Sequence, residues 1–184
     1  MHLVITRFKV KWMNIFEKAI VHFNKLIMIT WQCKFFSELT NEEVYKILQL
    51  RIEVFIVEQD CVYQDCDNKD FKAYHFTAWE DNNLLAYTRL LPVGISYPGY
   101  ASIGRVITAP VVRGKNVGKE LMKRSIDQVY ALFGKVPIKI SAQLYLKKFY
   151  ESFGFIPKGN VYPEDGIDHI AMEKTYPALA AEIQ

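Results

Sequence analysis

Hydrophobic positions along the chain follow two periods, and each switch between them marks an element. Ile29 to Phe36 alternates as a strand. Thr40–Asn41–Glu42–Glu43 forms a T-x-x-E capping box, which starts a helix at Asn41. Val44, Ile47, Leu48, Ile52 and Phe55 supply its buried stripe, and the helix runs on into Ile56–Val57–Glu58–Gln59. An acidic loop with Asp60, Asp65, Asp67 and Asp70 follows. Ala73–Trp79 and Leu84–Pro92 alternate again around Asp81–Asn82–Asn83, which predicts a hairpin. Ser102–Thr108 is a further strand, after a loop over Gly94–Tyr100. Helical spacing returns at Val117, Leu121, Met122, Ile126, Val129 and Leu132–Phe133. A strand over Val136–Ala142 leads to a helix over Gln143–Ser152, with Gly154 as its C-cap. Phe155–Val161 and Ile167–Lys174 close the pattern as a strand pair across Pro163–Gly166, and a frayed helix is expected after Pro177.

Composition changes this picture little. A chain of 184 residues, half of them hydrophobic, suits one domain with a substantial core. The net charge of +3 is concentrated in residues 1–27, where Arg7, Lys9, Lys11, Lys18 and Lys25 face Glu17 alone. The remainder is close to neutral, which argues against a nucleic-acid surface. Residues 1–27 contain no apolar run long enough for a bilayer, and no small-residue cleavage site follows. Two readings stay open there: an amphipathic helix on anionic lipid, or an upstream start before a natural beginning at Met28. The expected organisation is an extension over 1–27, a domain over 28–176 and a tail over 177–184. Cys33, Cys61 and Cys66 make no C-x-x-C pair and no zinc pattern, which points to a reduced, cytoplasmic setting without a metal. The acidic loop lacks the glycine and closing glutamate of an EF-hand, so it is read as solvated or substrate-facing.

The candidate chemistry begins between the Ser102–Thr108 strand and the following helix, at Arg113–Gly114–Lys115–Asn116–Val117–Gly118–Lys119. A glycine-containing loop that opens a helix leaves backbone N–H groups unpaired at the positive end of the helix dipole, where anions bind. The spacing of Gly114 and Gly118–Lys119 is too short for a nucleotidase phosphate loop, and Glu120 replaces its Ser or Thr. The dinucleotide fingerprint fails as well. The plain alternative is a helix start with a solvated basic turn. What the loop resembles is R-x-x-G-x-G/A, the pyrophosphate loop of the GNAT acetyltransferase superfamily, through Arg113 and Gly118. Asn116 replaces the middle glycine, a mild departure because asparagine tolerates positive φ.

The element order is that of the GNAT fold, and Phe149–Tyr150–Glu151–Ser152–Phe153–Gly154–Phe155 resembles that family's F-Y-x-x-x-G-F signature. Leu50 to Gln59, Tyr63–Gln64–Asp65 with Asp67, Ile103–Gly104–Arg105–Val106 and Tyr162 to Ile170 are similar to the ElaA-type branch. The resemblance spans roughly Met28 to Lys174. It implies an α+β (mixed α/β) fold whose central, mostly antiparallel sheet is splayed between strands four and five and flanked by helices. Acetyl-CoA is then the expected cosubstrate. Its pantetheine arm would pair with Arg105, Val106 and Ile107, and its pyrophosphate would sit on Arg113, Gly114, Lys115, Asn116, Val117, Gly118 and Lys119. The resemblance implies acetyl transfer to a primary amine of a small molecule or protein by direct attack, with Tyr150 protonating the departing thiolate. Glu58 and His169 are the base candidates, with a structural role open for each. Gln59, His75, Arg89 and Gln143 are candidate acceptor contacts, although His75 and Arg89 lie within strands, where polar residues commonly serve as satisfied core groups. Arg51, Arg89 and Arg105 either bind an acceptor carboxylate or pair with the acidic loop. A non-catalytic acyl-CoA-binding module, or a synthase of acyl-homoserine lactones suggested by Arg51 to Phe55, are the rival functions. The fold also admits a homodimer.

Overall fold

Two antiparallel sheets meet at one point and part beyond it. The computed structural model describes residues 29–176, so the expectations for 1–27 and 177–184 lie outside the described residues. The first sheet has the order β1–β2–β3–β4, from Thr30–Phe35, Tyr74–Glu80, Asn83–Leu91 and Ser102–Thr108. The second has the order β5–β7–β6, with β5 at Ile138–Gln143, β6 at Ile156–Glu164 and β7 at Ile167–Lys174. Ala101 joins them: its N–H donates to Pro137 O at 3.0 Å and its carbonyl accepts from Lys139 N–H at 2.9 Å. That parallel bridge between Ala101 and Ile138 is isolated, and β4 and β5 share no ladder beyond it. The sheet is therefore splayed between its fourth and fifth strands.

The first sheet is the core. Every residue from Leu84 to Leu91 of β3 is buried, because helices cover both of its faces. α1 (Asn41–Arg51) and α2 (Val117–Phe133) pack against β3 and β4. Val117, Leu121, Met122, Ile126 and Val129 form the buried stripe of α2 at the expected spacing. Ser125 joins them without exposure, its hydroxyl 2.7 Å from that of Thr88. No helix among the described residues is long and apolar enough to cross a membrane.

Thr40 caps α1 as expected: its Oγ1 accepts from Glu43 N–H, and Thr40 N–H donates to the Glu43 carboxylate. The continuous helix expected as far as Gln59 is corrected. α1 ends at Arg51, and Ile52–Glu58 is a π-helical turn in which Gln59 N–H reaches Val54 O. A π turn holds more residues than an α turn and so rotates the stripe that follows. Ile52, expected inside, is half exposed, while Leu50, Arg51 and Val54 are buried. The helix expected from Gln143 is shorter as well. Gln143 still belongs to β5, a 3-10 turn spans Leu144–Leu146, and α3 occupies only Lys147–Glu151. β6 continues through Pro163 to Glu164, which leaves Asp165 (φ 51°) and Gly166 (φ 81°) as a two-residue hairpin turn.

Candidate active site

β4 carries a bulge where it borders the splay. Tyr87 pairs with Ile107 and Arg89 with Gly104, so Arg105 and Val106 together face Thr88. Arg105 adopts φ 54°, unusual for a non-glycine residue. Such a conformation persists only where its surroundings enforce it. Here Asp65 accepts from Arg105 Nε at 2.7 Å, and the guanidinium lies 5.3 Å from the centre of the Tyr63 ring. The bulge twists β4 beside a cleft of about 580 Å³ that Gly104 to Thr108 help to line.

At one end of the cleft, Arg113 introduces the loop into α2. Gly114 (φ 75°) and Asn116 (φ 62°) both take left-handed conformations, as the substitution of asparagine for glycine predicts. The N–H groups of Gly114, Asn116, Val117 and Gly118 find no acceptor among the described residues. A Cβ on Gly118 would meet Thr108 Cγ2 at 3.7 Å, an ordinary contact, so the free chain does not demand glycine there. A strand edge leading to a nest of unpaired amides fits an extended ligand with a pyrophosphate, such as an acyl-CoA.

Glu58 projects from the π turn to this end and accepts both Arg113 guanidinium nitrogens, at 2.7 and 2.8 Å. Those hydrogen bonds hold its carboxyl below the usual range. As a base candidate Glu58 is therefore weakened, because its oxygens are committed. His169 stands differently. It lies on the middle strand β7, opposite Gln143 on one side and Tyr162 on the other. Its Nδ1 is 2.8 Å from the Ile167 carbonyl, which only an Nδ1–H can satisfy. Nε2 has no partner among the described residues. Gln143 and Gln59 join the two sides of the cleft through a 3.0 Å hydrogen bond, and Tyr145 OH donates to Gln143 Oε1.

Tyr150 also lines the cleft, 6% exposed, its ring set edge-on against Phe149 and Phe155. Burial pushes its phenol well above its ordinary value. Phe149 on α3 and Phe153 in the turn after it lie 5.1 Å apart between ring centres, but are half-buried rather than core residues.

His75, expected to contact the acceptor, does not line the cleft. Only 2% exposed, it accepts from Tyr87 OH through Nδ1 at 2.8 Å, and its Nε2 lies 3.1 Å from Asp70 O. Burial lowers its pKa, so it is a neutral core group. Of the two readings of the acidic loop, the solvated one is corrected for Asp65 and Asp70, which are buried, whereas Cys61, Tyr63, Asp67 and Lys69 of the same loop line the cleft. Arg51, 1% exposed, donates to Asp65 at 2.7 Å and to Asp70 at 2.8 Å. Arg89 donates to both Asp67 oxygens, at 2.7 and 2.8 Å, and reaches Asp70 at 3.1 Å. Burial alone would raise the Asp67 carboxyl, but the Arg89 hydrogen bonds and charge outweigh it and hold the group at about 2. Three arginines thus neutralise three aspartates, and the guanidinium of Arg89, a candidate acceptor contact, is already committed.

Sequence reasoning missed Tyr63, Ser141, Tyr162 and Glu164, all of them ordinary surface residue types. For the last two, the available signal was position i and i+2 on one strand beside a tight turn.

A family model for an acetyltransferase (GNAT) domain matches residues 36–176, and the chain belongs to that family of acyl-CoA-dependent acyltransferases. Within it, the chain is of the ElaA type. It is 42% identical over 149 residues to protein ElaA of Escherichia coli K12, covering 80% of this chain and 97% of ElaA. The crystal structure of Escherichia coli ElaA superimposes with a TM-score of 0.75 at 41% identity, over 80% of this chain and 99% of that one. An acyl-CoA N-acyltransferase from Pseudomonas aeruginosa superimposes with a TM-score of 0.76, also at 41% identity and with the same coverage. These similarities set aside the binding-only rival.

Proposed function

We propose that the chain transfers the acetyl group of acetyl-CoA to a primary amine by direct attack, in a reducing, cytoplasmic setting. The observation that carries this reading is the parting of β4 from β5 past Ala101, which opens one cleft along both reactant paths. Acetyl-CoA supplies the activated thioester. The β4 edge at Arg105, Val106 and Ile107 aligns its pantetheine arm, and the amides from Arg113 to Lys119 receive its pyrophosphate. Arg113 exchanges Glu58 for phosphate oxygen as the ligand arrives.

His169 Nε2 removes a proton from the acceptor ammonium, directly or through one water. The amine nitrogen then bonds to the acetyl carbon as the carbon–sulfur bond breaks. Tyr150, which burial keeps protonated, donates to the departing sulfur, and the second proton released by the acylated nitrogen returns through solvent to the Tyr150 phenolate. The products are an amide and free CoA thiol. Gln59 and Gln143 bracket the acceptor. We favour His169 over Glu58 as base because His169 Nε2 has no partner among the described residues, whereas Glu58 is held by Arg113.

Thiol release from acetyl-CoA against a panel of primary amines tests the proposal. Release that depends on the amine, with one acetyl group recovered on nitrogen per thiol, is expected. Saturable acetyl-CoA binding without amine-dependent release would contradict it.

A further inference from the structure

The charges lining the cleft fall into two groups. On the β4 side Arg89 and Arg105 meet the aspartates of the loop, and Arg113 meets Glu58. Lys69 lies on that same loop. On the opposite side Glu164, the last residue of β6, and Asp165 in the turn beside it have no cationic partner among the described residues, and of the two Glu164 is the one whose carboxylate a neighbouring side chain holds. It accepts a hydrogen bond from the Ser141 hydroxyl, whose Oγ also lies 2.6 Å from Tyr162 OH. Neutral donors thus orient Glu164 without cancelling its charge.

Burial dominates the ionisable groups nearby. Burial, with Tyr162 and Glu164 nearby, pushes the Tyr97 phenol up to about 12. The Cys61 thiol is raised by burial and then by Asp165. Tyr97 and His169 line the cleft, and Tyr162 stacks on His169 at 6.4 Å. A carboxylate among aromatic faces favours an ammonium, through a charge-assisted hydrogen bond and the ring quadrupoles.

The field of an unpaired carboxylate opposes loss of a proton from an ammonium beside it, and the reading above assigns the deprotonation to His169 Nε2. The group Glu164 holds is therefore not the reacting nitrogen. Tyr162 faces His169 across the ladder and Glu164 lies two residues further along β6. Such diagonal neighbours are about 7–8 Å apart, a span that a short alkyl chain crosses. Resting on the acyl-transfer reading above, we propose that Glu164 is a specificity residue that binds a second, non-reacting ammonium, so that the acceptor is a short alkyl diamine with its other nitrogen at His169 Nε2.

The test compares 1,4-diaminobutane with butylamine as acceptors for acetyl-CoA, in the full chain and in Glu164→Gln. Glutamine keeps an oxygen for Ser141 and removes only the charge. The wild-type chain should favour the diamine by at least about tenfold in kcat/KM, and the variant should bring the ratio near one. Equal use of both amines by the wild type, with thiol release intact, overturns the diamine assignment and leaves acyl transfer standing. A preference that survives in Glu164→Gln overturns the role of Glu164. If no amine supports release, the transfer reading itself fails. Calorimetry of 1,4-diaminobutane on the acetyl-CoA-loaded protein then decides. Binding that is lost in the variant supports the site; absent or unaltered binding overturns it.

Discussion

In and beneath one wall of the cleft three arginines meet three aspartates at hydrogen-bond distance, whereas along the other Glu164 has no cationic partner and His169 Nε2 no hydrogen-bond partner among the described residues. Both walls are rich in polar groups, yet only the second has chemistry to spare. The first wall is deeply buried, with Arg51 and Arg89 at 1% and 3% exposure. An unpaired charge there would carry a large desolvation cost, so each is matched. The second wall sits on half-buried β7 and largely exposed β6, where an unmatched carboxylate stays solvated until a ligand arrives. Compensation marks the scaffold, and its absence marks the place where a substrate completes the set.

Substitutions should separate the walls by what they damage. The largest effect is expected on the second. His169→Gln removes the proposed Nε2 base, and kcat/KM should fall by about 10²–10⁴-fold. The unfolding midpoint in urea should hardly move, because the ring makes one local hydrogen bond to Ile167 and one stacking contact. Loss of stability in place of rate would erase the distinction. On the first wall the sign reverses. Arg51→Met strips one of the two cations from each of buried Asp65 and Asp70, leaving Arg105 and Arg89, and urea unfolding should show a loss toward the lower end of about 3–5 kcal/mol. Acetyl-CoA affinity measured in the fraction that remains folded should change little.

The smallest effect is a pH dependence that sharpens the same contrast. Asp65 and Asp67 have folded-state pKa values below their unfolded ones. Their contribution is thus present above an unfolded pKa of about 3.9 and is lost as pH falls through the folded value. For Asp67 that window runs from about pH 4 down to about 2. It should carry on the order of 2 kcal/mol, which Asp67→Asn removes. Denaturant titrations across this range should show a shallower acid slope in the variant. An unchanged slope would mean that the ion pairs on this wall contribute nothing net.

Local signals were legible in the sequence. The Thr40–Glu43 box, the bounds of β4 and the left-handed Asn116 each depend on a few neighbouring residues. The π turn after Arg51 was not, because Ile52 and Phe55 suit an α-helical stripe as well as a broken one. Burial of Arg51 was decided by Asp65 and Asp70, residues 14 and 19 positions away, whose approach no periodicity records. Among the candidate site residues, the Arg113–Lys119 loop and Tyr150 stood out through motif. Glu164 did not, because its orientation comes from Ser141 on a different strand.

The account turns on Tyr150 as the group that meets the departing sulfur. Tyr150→Phe removes one oxygen and leaves the ring against Phe149 and Phe155, so packing should be kept. Single-turnover acetyl transfer to an accepted amine, with acetyl-CoA affinity measured by calorimetry on the same samples, reads the chemical step directly. The account predicts a rate lower by about 10²–10⁴-fold with affinity nearly unaltered. A Phe variant that transfers acetyl at the wild-type single-turnover rate would show that Tyr150 is a packing aromatic and that the sulfur leaves without it.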